Sequence, residues 1–488
     1  MRTDQPAPPD LGLRLAFYGD DFTGSTDALE VLAFAGYRCA LFLAVPSAQQ
    51  LHALGPFDAI GIAGASRGMS PAEMDAQLPP VLAALAALPT PLVHYKVCST
   101  FDSSPATGSI GRVMDLAREA FGAGVIPIVA GTPALGRYCL FGNLFARSGT
   151  DGQVHRLDRH PIMRTHPVTP MTEADLALHL GLQTAQRITK FTLPMLTGST
   201  DMMDSELDRA LADAPDALLF DGATPGHLTD VGRLMQRLCA GRNGPLFAIG
   251  SSGLEYAMTQ WWGQRDASPH TRKGTAEDHD QFKAMPQVLA VSGSASLLSA
   301  LQVDTAIAAG FMDLPVDAAA LVAASDWQGS LKALGDRVIK ALLDGRSVML
   351  HTARGPQDPR IEAMLAASAA QGLTREQALH EGGRLLGQRL GQLVDRTLRA
   401  VPLGRLLLSG GDTSSQITQH LAPDALLIAA RLAPGAPLCR VVSHAPHLRH
   451  LEIALKGGQM GQADYFVKAL RGTARGRPAG QLLPTQGD

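Results

Sequence analysis

The chain has 488 residues, enough for two or three ordinary cores. Hydrophobic residues make up 45% and aromatics 5%, an ordinary soluble composition, and a net charge of −3 lacks the basic footprint of a nucleic-acid binder. The greasiest run, Val81–Val93, is broken by Pro89 and Pro91 and is too short to span a bilayer, so no membrane partner is expected.

The first ten residues are polar, contain three prolines and have no apolar stretch of the kind a signal peptide needs, which predicts a loose tail. Leu15–Tyr18 then reads as a buried strand. It breaks at Gly19 into two adjacent carboxylates, Asp20 and Asp21, and Thr23, Gly24, Ser25 and Thr26 lead into a helical pattern. In a parallel α/β sheet such a turn lies at the carboxyl edge, where ligands bind. Strands are expected at 40–45 and 59–63, a helix at 71–88, and a strand at 92–97 that runs into Cys98-Ser-Thr-Phe-Asp-Ser-Ser104. A helix over 110–121 and a strand over 126–130 follow, then a Gly-rich segment to Phe145. The stretch 158–171 is too rich in Pro to be regular, and a helix is expected from about Thr172, with Glu173 and Asp175 in its first turn. Strands at 217–221 and 246–250 close this part. Residues 264–285 are polar, of mixed charge and without apolar period, and are read as a linker.

After the linker the pattern restarts. Strands at 288–291 and 405–408 end in Ser292-Gly-Ser-Ala-Ser296 and Ser409-Gly-Gly-Asp-Thr-Ser-Ser415. Further strands are expected at 348–351, 440–443 and 452–455, the last ending in Lys456-Gly-Gly-Gln-Met-Gly461. A long helix is expected over 375–401, and the end from about Arg475 reads as disordered. This alternation predicts an α/β protein of two domains, 1–263 and 286–488, each a mostly parallel sheet flanked by helices. The five cysteines, at 39, 98, 139, 239 and 439, form no C-x-x-C and read as reduced thiols in a cytoplasm.

Four groupings carry chemistry. Asp20 and Asp21 at a strand end can accept a hydroxyl proton, hold Mg²⁺ or hydrogen-bond a polyol; the plain alternative is a helix cap, which needs only one Asp. Lys96 with the hydroxyls of 99–104 and Asp102 suits a ligand bearing a carboxylate and several hydroxyls, or simply caps the next helix; only 8 of the 42 basic residues are Lys, so Lys96 is not filler. Arg159, Arg164 and His166 could clamp a carboxylate, or form a surface loop; no third ligand sits at a spacing that suggests a metal. The three Gly/Ser turns of the C-terminal part let phosphates approach backbone N–H groups. Glycine-rich turns are common in α/β proteins, but three on one predicted edge point to a nucleotide. There is no Walker A loop, no dinucleotide fingerprint in register and no nucleophile elbow.

Taken together the motifs resemble the four-carbon acid sugar kinase family, formerly a domain of unknown function. The resemblance rests on Asp20-Asp21-Phe-Thr-Gly-Ser-Thr-Asp27, Lys96–Ser104 with Gly108-Ser-Ile-Gly111, His166–Met171, Ser292-Gly-Ser294, Gly410–Ser414 and Lys456-Gly-Gly458. It implies an N-terminal domain for an acid sugar and a C-terminal domain for ATP, with the active site in the cleft between the two domains and phosphorylation of a terminal hydroxyl. On that reading Asp20 or Asp21 takes the hydroxyl proton. Thr23, Lys96, Asp102, Ser103, Ser104, Arg159 and His166 hold the sugar acid. Ser292, Ser294, Gly410, Gly411, Asp412, Thr413, Gly457 and Gly458 hold ATP, which Mg²⁺ accompanies through ligands the sequence does not identify. The Cys-Ser-Thr-Phe-Asp-Ser form of the second motif resembles the 3-oxo acid branch more than the threonate branch. Arg159-His-Pro and the Leu-Ala-Phe-Tyr start depart from 3-oxo-tetronate kinases, which brings in 3-oxo-isoapionate. The alternatives are a metal-dependent sugar-acid isomerase or aldolase using Asp20, Asp21 and His166, and a nucleotide-responsive sugar-acid sensor. A homo-oligomer stays open.

Overall fold

The computed structural model describes residues 12–149, 152–166, 168–265 and 278–473. The expected N-terminal tail, the middle of the linker (266–277) and the end from 475 lie outside them. The strands are β1 (Leu15–Gly19), β2 (Cys39–Phe42), β3 (Ala59–Ala63), β4 (Leu92–Lys96), β5 (Ile126–Val129), β6 (Arg137–Leu140), β7 (Asn143–Arg147), β8 (Val154–Arg156) and β9 (Ile188–Phe191). They continue with β10 (Ala217–Phe220), β11 (Leu246–Gly250), β12 (Leu289–Ser292), β13 (Met312–Pro315), β14 (Val348–His351), β15 (Arg405–Ser409), β16 (Ala425–Ala433), β17 (Ala436–Val442) and β18 (Glu452–Lys456). Most are short, continuously apolar and fully buried, as strands covered by helices on both faces must be.

Fifteen of them form one sheet in the order β13-β14-β12-β15-β18-β17-β16-β2-β3-β1-β4-β11-β5-β10-β9. From β2 to β9 every pairing is parallel, and so is every pairing from β13 to β18. The two expected sheets are therefore joined edge to edge. The join is the β16–β17 hairpin, whose strands pair antiparallel with β2 and β18. The seam itself is short: Ala425 faces Phe42 and Leu426 faces Leu41. In each half the strand order reverses beside the first strand. β2 and β3 lie on one side of β1 and β4 on the other; β13 and β14 lie on one side of β12 and β15 on the other. Ligands of open α/β sheets bind at such reversals, outside the carboxyl ends.

Three expectations change. The Gly-rich segment after β5 is a small antiparallel sheet, β6-β7-β8. Its first turn is Phe141-Gly142, both at positive φ (51° and 76°), the pattern of a tight two-residue hairpin. Asp221, at the end of β10, accepts the N–H groups of Phe141 (2.6 Å), Gly142 (2.8 Å) and Leu193 (2.9 Å), which holds a left-handed Phe in place. The helix expected near Thr172 starts instead at Leu176, because the Asp175 carboxylate accepts the N–H groups of Ala177 and Leu178 and so caps it. The strand expected at 440–443 is the end of β17, and β16 was unread. Among the described residues no helix is long and apolar enough to cross a membrane.

The helix after β1, Phe22–Phe34, carries a contact that ties the halves together. Its Glu30 accepts the N–H of Gly435 (2.9 Å), the left-handed residue of the β16–β17 turn. Burial, with Asp27 adding to it, pushes the Glu30 carboxyl up from its ordinary 4.5 to about 8. A raised carboxyl contributes its full stability below pH 4.5 and loses it as pH climbs to 8. Glu30→Gln should therefore match the parent at pH 4.5 and exceed it by about 2 kcal/mol at pH 8, discounting the shift for the partial exposure of this side chain. Denaturant midpoints across that range measure it; a constant offset would refute the assignment.

Candidate active site

The turn after β1 is built from three neighbouring strand ends. Asp20 N–H bonds Lys96 O (2.9 Å) at the end of β4, and Gly64 N–H bonds Gly19 O (2.9 Å) beyond β3. Arg67 N–H then bonds Asp20 O (3.1 Å). This last contact delivers a side chain that sequence reasoning missed. Arg67 donates Nε and Nη2 to Asp20 (3.1 and 2.8 Å) and Nη1 to Asp21 Oδ2 (2.7 Å), so one guanidinium spans both acids. Its signal was available: Gly64-Ala-Ser-Arg-Gly68 follows a buried strand as Asp20 and Lys96 do. Gly108, at φ +62°, lets its loop pass against the Arg67 backbone, where a Cβ would strike Arg67 O.

The two acids are not equivalent. Asp21 caps the helix, accepting Gly24 N–H (2.6 Å) and the Thr23 hydroxyl (2.8 Å), and is partly open. Asp20 is enclosed, and burial holds its carboxyl above the ordinary value although Arg67 opposes the shift. Lys96 lies beneath the pair and not in front of it. It is buried, donates to Val97 O (2.9 Å) and stands 3.6 Å from Asp27. Gly24 is the spacer of the cluster: a Cβ there would sit 2.5 Å from Asp21 Oδ1 and 3.3 Å from Lys96 Nζ.

The remaining residues expected at the substrate are dispersed. Asp102 is partly buried and accepts the Thr100 hydroxyl (2.6 Å). Ser103 is buried, donates to Phe101 O (3.0 Å) and meets His179 Nε2 (3.0 Å) and Gln183. Ser104 closes its own turn with Thr107. Arg159 is exposed beside Asp158, and His166 Nδ1 accepts Thr169 N–H (3.1 Å). No described hydrogen bond links Arg159 or His166 to the acid turn. Among the described residues no cluster of three or more His, Cys, Asp or Glu is arranged to hold a metal.

The residues expected at the nucleotide do come together. Gly293 N–H bonds Ser409 O (2.8 Å) and Gly410 N–H bonds Lys456 O (2.9 Å), so the turns after β12, β15 and β18 are stitched side by side. They are packed to backbone distance. A Cβ on Gly458 would strike Ser294 Oγ, one on Gly293 would strike Thr413, and one on Gly410, at φ +106°, would lie 3.2 Å from Ser294 N. Ser292 Oγ, at the end of β12, and Ser414 Oγ are buried without a protein partner. The helix Leu297–Ala308 is capped by Ser296, whose Oγ accepts Ser299 N–H (3.0 Å) and donates to Gly458 O (2.5 Å). The helix Gly411–Leu421 begins at Gly410 and has no side-chain cap. Its first N–H groups are therefore open to an anion, and the orphaned hydroxyls and glycine cradle fit a phosphate chain.

The two clusters meet. A Cβ on Gly411 would lie 3.9 Å from Asp21 Oδ2. The parallel strands of the two halves run in opposite senses, because three antiparallel pairings separate them. A twist of about 20–25° per strand accumulates roughly 120–150° over the six steps from β1 to β15, which turns the two carboxyl edges back toward each other.

Two family models match this chain: a sugar-binding N-terminal domain over residues 15–258 and a nucleotide-binding C-terminal domain over residues 289–466. The chain is 42% identical over 465 residues to the 3-oxo-isoapionate kinase of Paraburkholderia graminis, covering 95% of this chain and 96% of that one. It is 29% identical to the 3-oxo-tetronate kinase of Methylobacterium radiotolerans over 94% of this chain and 99% of that one. A solved Salmonella typhimurium LT2 protein carrying a tRNA synthase name shares the fold at a TM-score of 0.71 and 24% identity, over 94% of this chain and 99% of that one. The chain belongs to the four-carbon acid sugar kinase family.

Removing Arg67 would strand two adjacent carboxylates, one of them enclosed. Arg67→Met should cost about 3 kcal/mol at pH 7.5, and adding Asp20→Asn should return much of it. Denaturant midpoints of the two variants check this; simple additivity would argue that the pair is not coupled through the guanidinium.

Proposed function

We propose that this chain is an ATP-dependent kinase that phosphorylates a terminal hydroxyl of a small oxo or hydroxy sugar acid. 3-Oxo-isoapionate is the first candidate, supported by the 42% identical relative, and a 3-oxo-tetronate is the second. The observation that carries the reading is the approach of the Asp21 carboxylate to the uncapped helix start at Gly411. Phosphoryl transfer asks for a hydroxyl held in line with the donor and for neutralised charge, and little else.

On this reading residues 1–263 hold the sugar acid, 264–285 link, and 286–488 hold ATP, with the reaction in the cleft between them. Asp21 orients the attacking hydroxyl and takes its proton. Its Oδ1 accepts one described hydrogen bond, from Gly24, which leaves room for that hydroxyl. Asp20 fixes Arg67, and Arg67 fixes Asp21. Lys96 supplies positive charge below the turn, while Thr23, Asp102, Arg159 and His166 are the proposed contacts to the sugar acid. Ser103 and Ser104 hold the shape of their loop. Ser292, Ser294, Gly410–Thr413, Gly457 and Gly458 receive the phosphates through N–H and hydroxyl groups. Mg²⁺ bound with ATP supplies further charge neutralisation.

Asp21→Asn keeps size and cap but cannot take a proton. It should lower kcat about 10²–10⁴-fold while ADP affinity stays within about threefold. ADP release over a panel of 3-oxo-isoapionate, 3-oxo-tetronates, threonate and erythronate reads both the activity and its substrate. Parent-like turnover in Asp21→Asn would remove the base role, and no ADP release on any compound would remove the kinase reading.

A further inference from the structure

Lys456 ends β18 directly before Gly457-Gly458, and it is fully buried. Its ammonium donates to Gly457 O (3.0 Å) and to Ser299 Oγ (3.4 Å). Ser299 is the point where the three turns touch: its hydroxyl also reaches Gly458 O (3.1 Å) and Ser409 Oγ (3.5 Å). Lys456 therefore stands under the floor of the glycine cradle. No described carboxylate forms an ion pair with it. The groups described around it are Ser299 from helix Leu297–Ala308, with Ser409 of β15 beyond that hydroxyl, and Tyr465 from helix Tyr465–Arg471 with its ring 5.7 Å away. Burial raises the Tyr465 phenol, with Cys439 and Glu30 adding to it, so it stays neutral, and Glu30 forms no described ion pair with Lys456. Asp412, in the first turn of helix Gly411–Leu421, and Asp464, before helix Tyr465–Arg471, do not pair with it. An enclosed cation without a counter-ion is costly, and proteins keep one where a ligand completes the pair.

We propose that Lys456 is the fixed cation of the nucleotide site, and that a bound phosphate chain is its counter-ion. The proposal rests on the nucleotide reading given above and adds a charged group to a cradle otherwise made of backbone and hydroxyls. It has a second consequence. Burial alone pushes the Lys456 ammonium down to about 7, so above neutral pH much of it is uncharged before nucleotide arrives. Phosphates above the floor favour the charged form, and the neutral amine then takes one proton from solvent.

Calorimetry of magnesium–ADP binding to the full chain at pH 8, in Tris and in HEPES, reads affinity and proton transfer together. At that pH the phosphates are already ionised, so they contribute little proton exchange. The expected result is an uptake of roughly 0.5–0.9 proton per nucleotide that shrinks toward pH 6. Lys456→Met should weaken ADP binding by about 10–100-fold and abolish the uptake. Lys456→Arg stays charged at every pH and should bind without uptake. Wild-type binding with no uptake between pH 6.5 and 8.5, or uptake that persists in Lys456→Met, overturns the proposal while leaving the nucleotide reading intact. Absence of any ADP binding overturns both. The wild-type pH series decides the matter even if neither variant folds.

Discussion

Two ionised carboxylates side by side at an enclosed strand end repel each other and lose water, and they stay together only if a cation reaches both. Arg67 meets that constraint with a planar fork, two arms on Asp20 and one on Asp21. Lysine could not, since a point charge serves one acid at a time. Much of the N-terminal half follows from bringing this fork into place. β3 must lie beside β1 so that its outgoing turn passes Asp20, β4 must flank the other side so that Lys96 O receives Asp20 N–H, and the loop at Gly108 must press on the Arg67 backbone. The strand order is thus part of the electrostatics of the turn.

The second half solves a different problem with the same topology. Its strand ends present few charges and many open N–H groups, and its glycines are where side chains of neighbouring turns already fill the space. One half holds its charges in a paired cluster, while the other groups backbone and hydroxyl donors above the buried Lys456. The β16–β17 hairpin determines how they are opposed. An even number of antiparallel pairings would have left the two sets of parallel strands running in one sense; three pairings reverse them, and the twist of the sheet then swings the edges into apposition.

Much of this was legible in the sequence. Leu15–Asp27 announces strand, acid turn and helix because apolar run, glycine break and cap residues follow one another locally, and the three Gly/Ser turns are local in the same way. Contacts between distant segments were not. Arg67 lies 47 residues from Asp20 and is one of many arginines, and nothing in its own neighbourhood states its partner. The hairpin at Phe141-Gly142 escaped because a bulky aromatic at positive φ contradicts turn propensity; the force that overrides it, the Asp221 carboxylate, is some 80 residues away. The joining of two expected sheets into one was equally hidden, since a seam of two residue pairs leaves no periodicity to read.

Gly410 has an implication for anyone who would engineer this protein. Most of the helices described here start with a serine, threonine or aspartate that binds the first turn, and Gly411–Leu421 does not. A stability-minded redesign would mark that position for repair, because a good side-chain cap is worth a few tenths of a kcal/mol over glycine. The added side chain would have to stand at φ +106° and 3.2 Å from Ser294 N, in the space between two turns. Helix starts elsewhere in the chain can be strengthened without touching another turn, whereas a side chain at this one residue would push its two neighbours apart.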